Sequence, residues 1–148
     1  MFRAALFSSL FLASFVLAAP VPKALKAKSV SIGGSWLQVE QYLYGRNDDL
    51  KKECIWNIDA ETLIVSEPNE AYVPNSRWIR FSKMPDVDER AYSYRICSAD
   101  GTEDVYPARI EIENGNLRIA FSVTIAEYPI DTQPSKSVVL LVFKRSEK

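Results

Sequence analysis

Carboxylates offer the first candidates for chemistry in this chain. They stand in two runs, Asp48-Asp49 and Asp86, Asp88, Glu89, and either run could bind Ca²⁺ or act as an acid/base pair. A calcium loop alternates its ligands and turns on a glycine, while a working acid needs apolar surroundings to raise its pKa. Neither run has these features, so both read as solvated loops. Histidine is absent, which removes the usual general base near neutral pH and the commonest metal ligand. Ser-His-Asp and Cys-His catalysis are excluded with it. No catalytic residue, metal ligand or cofactor site is expected.

Two further sets of residues carry weight. The aromatics Trp36, Tyr42, Tyr44, Trp56, Trp78, Tyr92, Tyr94 and Phe121 either line a pocket for a flat ligand or fill a core, and Trp36, Trp56, Tyr92, Tyr94 and Phe121 are the principal candidates. Eight strands enclose room only for side chains or one small ligand, which favours filling. Cys54 and Cys97 are the only cysteines, and an even count would invite a disulfide in an oxidising compartment. Alternation argues the other way. Tyr92, Tyr94 and Ile96 form the apolar face of their strand and turn Cys97 outward, whereas Cys54 shares an inward face with Trp56. A bridge needs Cα atoms within about 7 Å and converging Cβ vectors, so two separate thiols are expected and a Cys54–Cys97 bridge is the alternative.

The elements that hold these residues have a period of two, not 3.6, from Ser35 onward. Arg109–Glu113, Asn114-Gly115 and Asn116–Phe121 make the clearest unit, because Asn-Gly suits a type I′ turn in which both central residues take positive φ. A two-residue loop pairs Ile112 with Leu117, Ile110 with Ile119 and Glu111 with Arg118. The isoleucines then share one face. Arg109, Glu111, Glu113 and Arg118 become cross-strand charge pairs on the other, so Glu111→Lys should cost under ~1 kcal/mol where Ile112→Lys abolishes folding. A second hairpin is predicted around Asp59-Ala60, with Trp56 opposite Leu63 and Cys54 opposite Val65. Further strands are predicted at Trp36–Tyr44, Arg77–Ser82, Ala91–Ser98 and Val138–Lys144, with Pro68, Pro74, Pro85, Pro107, Pro129 and Pro134 near their margins. The count is about eight antiparallel strands with no amphipathic helix, an all-β barrel or sandwich.

The N-terminus has a different character. Arg3 is followed by an apolar run from Ala4 to Val16 broken only by serines, the pattern of a secretory signal, and it is shorter than the roughly 20 apolar residues of a spanning helix. Val16-Leu17-Ala18 places the cut after Ala18, giving residues 1–18 as signal peptide, 19–33 as a flexible leader with solubilising Lys23, Lys26 and Lys28, and 34–146 as the domain. The protein is thus expected outside the cytoplasm, periplasmic or extracellular, with no membrane span in its mature form. Of 148 residues, 47% are hydrophobic and 25% charged, with a formal net charge of −1. One globular domain fits this composition, and no electrostatic footprint for nucleic acid appears.

Gly34-Ser35-Trp36, Gly45, Trp56–Leu63, Ile110–Phe121 and Leu140–Arg145 together resemble a secreted, lipocalin-like domain family, described from planctomycete bacteria, that has no assigned function. The resemblance covers most of 34–145 and departs at Tyr128, where the family often has an arginine before the proline. It implies an eight-stranded, up-and-down antiparallel barrel with Trp36 plugging one end, and it implies no catalytic residues. An exported binding or interaction module is therefore expected, with an apolar small molecule or a cell-surface protein as partner. A carboxylate-based hydrolase and a structural envelope component are the alternatives. Two carboxylates within about 10 Å in a deep pocket would mark the hydrolase. An apolar cavity open at one barrel end would mark a carrier.

Overall fold

The computed structural model describes residues 31–66, 68, 76–124 and 126–147. The expected signal peptide, its cleavage site and all but the last three residues of the expected leader lie outside the described residues.

Among the described residues nine strands are present: β1 (Gly34–Leu43), β2 (Arg46–Asn47), β3 (Ile55–Ile58), β4 (Ile64–Ser66), β5 (Ser76–Lys83), β6 (Ala91–Ser98), β7 (Glu103–Glu113), β8 (Asn116–Phe121) and β9 (Val139–Arg145). Each pairs antiparallel with its neighbour in the chain, except that β2 folds back on β1 alone and β3 takes the next place beside β1. β9 then returns to β1 over Trp36↔Arg145 to Leu43↔Val139. Closure leaves an eight-stranded up-and-down barrel with β2 as an extra flap, the lipocalin-like architecture expected, and no helix among the described residues.

The β7–β8 hairpin has the predicted register, with Ile110↔Ile119, Glu111↔Arg118 and Ile112↔Leu117. Asn114 and Gly115 take φ of 52° and 79°, as a type I′ turn requires. The β3–β4 connection differs from expectation. Ile58 lies opposite Val65, so the loop is longer than the two residues Asp59-Ala60. Asp59 explains it: its Oδ1 accepts from the backbone N–H of Glu61 and Thr62 and from the Thr62 hydroxyl. The Asp59 carbonyl accepts from Leu63 N–H, and Leu63 has a φ of 53°. A side-chain-capped turn of this kind outcompetes a tight turn lacking glycine. The register moves by an even number, so Trp56 and Val65 stay inside.

Pro107 is a second correction, since it lies within β7 and not at its margin. Its carbonyl accepts from Ser122 N–H, just past the end of β8 at Phe121. Its ring nitrogen therefore faces the same side, and the one ladder bond forgone is the outermost, opposite Ser122 beyond the end of β8.

β1 carries a bulge between Gln38 and Glu40. Trp36 and Leu43 stay with the interior cluster, while Val39 and Tyr42 join Ala120, Leu140 and Val142 in a second cluster on the outer face. The extra residue is what puts both sets on their proper sides.

Candidate functional site

The barrel interior is filled by rings. Phe143 stands 4.7 Å from Trp56, Trp56 stands 6.3 Å from Phe81, Phe81 is 5.4 Å from Tyr94, and Tyr94 stacks on Phe121 at 4.5 Å. Tyr106 extends the series at 5.9 Å from Phe121. These separations are those of favourable aromatic pairs in contact, so the column occupies the space that eight strands enclose. Trp56, Tyr94 and Phe121 are wholly buried. The filled core, not the lined pocket, is the arrangement found.

One end is closed by Trp36. Its indole N–H donates to Ile32 O at 2.8 Å, and Arg145 lays its guanidinium 4.0 Å above the ring while donating to Gly33 O at 2.7 Å. Gly34 is required here by its φ of 121°, a conformation L side chains rarely adopt, and a Cβ there would also push the Arg145 guanidinium aside. Tyr92 edges a recess at this end with Ile32, Leu63 and Lys83, and burial pushes its phenol up from the usual tyrosine range.

The opposite end opens on a recess of about 680 Å³ lined by Leu43, Tyr44, Arg46, Asn47, Asp48 and Lys136. The β1–β2 turn builds it. Tyr44 and Gly45 have φ of 52° and 82°, which swings Tyr44 out to 41% exposure. Arg46 and Lys136 supply positive charge. Asp48 is engaged on its inner side, where Oδ2 accepts from Gln41 Nε2 at 3.0 Å, and Gln41 Oε1 in turn accepts from Gln38 Nε2 at 3.1 Å. Gln38 and Gln41 lie opposite the core residues Phe143 and Leu141, and directly paired residues share a face. Both amides therefore point inward. Gln38 Oε1 and the indole N–H of Trp56 are buried with no hydrogen-bond partner.

A charged clasp covers the outer face of β7 and β8. Arg109 is buried, donates to Pro129 O at 2.8 Å and meets Asp88 at 3.3 Å. Glu111 accepts from Arg90 and from the Thr132 hydroxyl, each at 2.8 Å. Arg118 holds Thr132 O with two N–H groups and approaches Glu113 at 3.4 Å. Glu111 and Arg118 are opposite each other as predicted, yet each serves the chain segment running from β8 to β9. Reading them as a solvated cross-strand pair is corrected accordingly: the backbone carbonyls of Pro129 and Thr132 recruit the arginines. Asp88 lies in the loop between β5 and β6 and is partly exposed, as expected, but it is also tied to the clasp. The Arg90 backbone N–H and the Arg109 guanidinium hold its carboxyl below the usual range.

The remaining candidates separate. Trp36, Trp56, Tyr92, Tyr94 and Phe121 all belong to the interior cluster. Tyr42 lies outside, donating to Glu40, and Trp78 lies outside beneath Arg80 at 5.2 Å. Cys54 is inside as expected. Cys97 faces outward and is nonetheless buried, paired with the bulky Trp78. Cys54 immediately precedes β3 and Cys97 lies in β6, with β4 and β5 between, on opposite sides of the wall, and the two are not joined. Among the described residues no three His, Cys, Asp or Glu side chains converge on a metal position. Reasoning on the sequence passed over Gln38 and Gln41. Their signal is the failed alternation of Trp36-Leu-Gln-Val-Glu-Gln-Tyr-Leu43, which only a bulge reconciles. No family model, curated protein or solved structure matches the chain.

Proposed function

We propose that this is an exported, non-catalytic binding module, related to the secreted lipocalin-like domains, that takes its partner at the open barrel mouth and not inside the barrel. The ring-packed interior supports this reading above all, because a column of buried rings in mutual contact stands where a retinoid or a long fatty acid would have to lie. Export rests on the signal-like residues 1–18. The mouth combines an exposed ring, Tyr44, with the cations Arg46 and Lys136, a lining that suits a small amphipathic carboxylate. A hydrolase would need a second carboxylate beside Asp48, and the recess has none among its described lining residues.

The test is calorimetric titration of the purified protein at low ionic strength with aromatic and medium-chain carboxylates, beside retinol and palmitate. Saturable binding of a carboxylate, lost when Arg46 and Lys136 are both changed to Ala, is expected. Tight binding of retinol or palmitate that depends on Tyr94 would overturn the proposal in favour of an internal carrier. Binding of nothing in the panel would favour a structural envelope component.

A further inference from the structure

Inside the barrel, hydrogen-bond direction is set from its outer end. A carboxylate only accepts, so Asp48 fixes Gln41 with its amide nitrogen toward the carboxylate and its oxygen inward. That oxygen fixes Gln38 with its nitrogen toward Gln41. Reversing either amide would set two oxygens against each other. Gln38, a residue only 4% exposed, is thus left with Oε1 as a buried acceptor on the inward face.

Trp56 presents the complementary group. Gln38 N–H bonds to Cys54 O and Trp36 lies opposite Trp56, so Trp56 is the diagonal neighbour of Gln38 on the same inward face, within reach of long side chains. Its indole N–H is a buried donor with no partner. Leaving either group unmatched in an apolar interior is costly, and each could have been met by an apolar residue instead.

We propose that Gln38 Oε1 and Trp56 Nε1 form an internal site for a single hydroxyl group. The hydroxyl donates to Gln38 and accepts from Trp56, and O–H is the smallest group able to do both beside Phe143 and Phe81. Two sources supply that chemistry: a water molecule, which needs two to four polar partners to be held in such a place, or the hydroxyl of a small alcohol. The site stands independently of any ligand at the mouth, since Asp48 orders the amides whether or not the recess is occupied.

Proton–nitrogen NMR of the ¹⁵N-labelled protein reads the site through the Trp56 indole N–H, assigned by its contacts to Phe143 and Phe81. A cross-peak from that proton to long-lived water, abolished in Gln38→Met, is the result expected. On adding methanol, replacement of the water cross-peak by a saturable methanol cross-peak would identify an alcohol as a competent occupant. Persistence of the water peak would identify water alone. An indole proton with neither cross-peak, shifted upfield as though donating into the Phe143 ring, overturns the proposal. The wild-type spectrum decides this even where Gln38→Met does not fold.

Discussion

Phe81→Ala probes the filled interior most directly. Phe81 is 2% exposed and stands between Trp56 and Tyr94, and it is apolar throughout, so its truncation leaves no orphaned polar group. Loss of a buried aromatic ring from a packed core costs about 3–5 kcal/mol, a transfer contribution plus a cavity contribution of about 24 cal/mol per Å³. Domains of this kind are stable by only about 5–15 kcal/mol. With a urea slope near 2 kcal/mol/M, a loss of about 4 kcal/mol lowers the midpoint by about 2 M. The variant should remain folded and acquire a dry apolar void of the sort that binds benzene, so saturating benzene should recover part of the loss by mass action. Urea unfolding followed by tryptophan fluorescence, with and without benzene, measures both. In a hollow, ligand-bearing barrel Phe81 would merely line existing space, and its removal would forfeit contacts on one side only. A loss below about 1.5 kcal/mol, or a native protein that already binds benzene as well as the variant does, would refute the packing argument.

Three further outcomes follow from the plug and the clasp. Gly34→Ala should cost about 1–3 kcal/mol for its backbone conformation and displace Arg145 from Trp36, visible as altered Trp36 fluorescence; an unchanged urea midpoint would contradict the assigned plug. Glu111→Lys should cost about 2 kcal/mol, since it removes a hydrogen bond to the Arg90 guanidinium and one to the Thr132 hydroxyl and adds a cation beside Arg90 and Arg109, whereas Glu113→Lys, at a half-exposed pair, should cost under about 0.5 kcal/mol. Equal effects in urea would mean the clasp is no more than surface charge. Asp88 has its pKa lowered in the fold, so the stability it contributes is present above its ordinary value of 3.8 and is lost as pH falls through the lower, folded one. Asp88→Asn should flatten the acid limb of the stability–pH curve, and an unaltered limb would remove Asp88 from the acid transition.

The barrel was legible wherever local chemistry and alternation agreed. Asn114-Gly115 demanded its turn, and that turn placed Ile110, Ile112, Leu117 and Ile119 on one face without help from the rest of the chain. Asp59-Ala60 misled because a carboxylate can organise a longer loop through three hydrogen bonds, and dipeptide preference does not register that competitor. The clasp was hidden for a different reason. Arg109 and Arg118 carry the alternation of an outer face, and only the path of the segment from β8 to β9 turns that face into a buried one. The mouth was hidden because its residues come from the β1–β2 turn and from Lys136, nearly a hundred positions apart in the chain.

The inward glutamines matter most for what the barrel is. A chain selected for stability alone has no use for two buried amides: apolar residues at 38 and 41 would fill the same volume without unmatched groups. Departures from local rules tend to gather where a protein does something besides fold. Here the departures are continuous. The bulge admits Gln41 to the interior face, Gln41 links Gln38 to Asp48, and Asp48 lines the recess with Arg46 and Lys136. At the plugged end the Trp36 indole and the Arg145 guanidinium are met by Ile32 O and Gly33 O, while the Trp56 indole across from Trp36 is not. A hydrogen-bonded path from the interior amides to the recess is the physical ground for the proposal that recognition takes place at the mouth, and it calls on no catalytic residue.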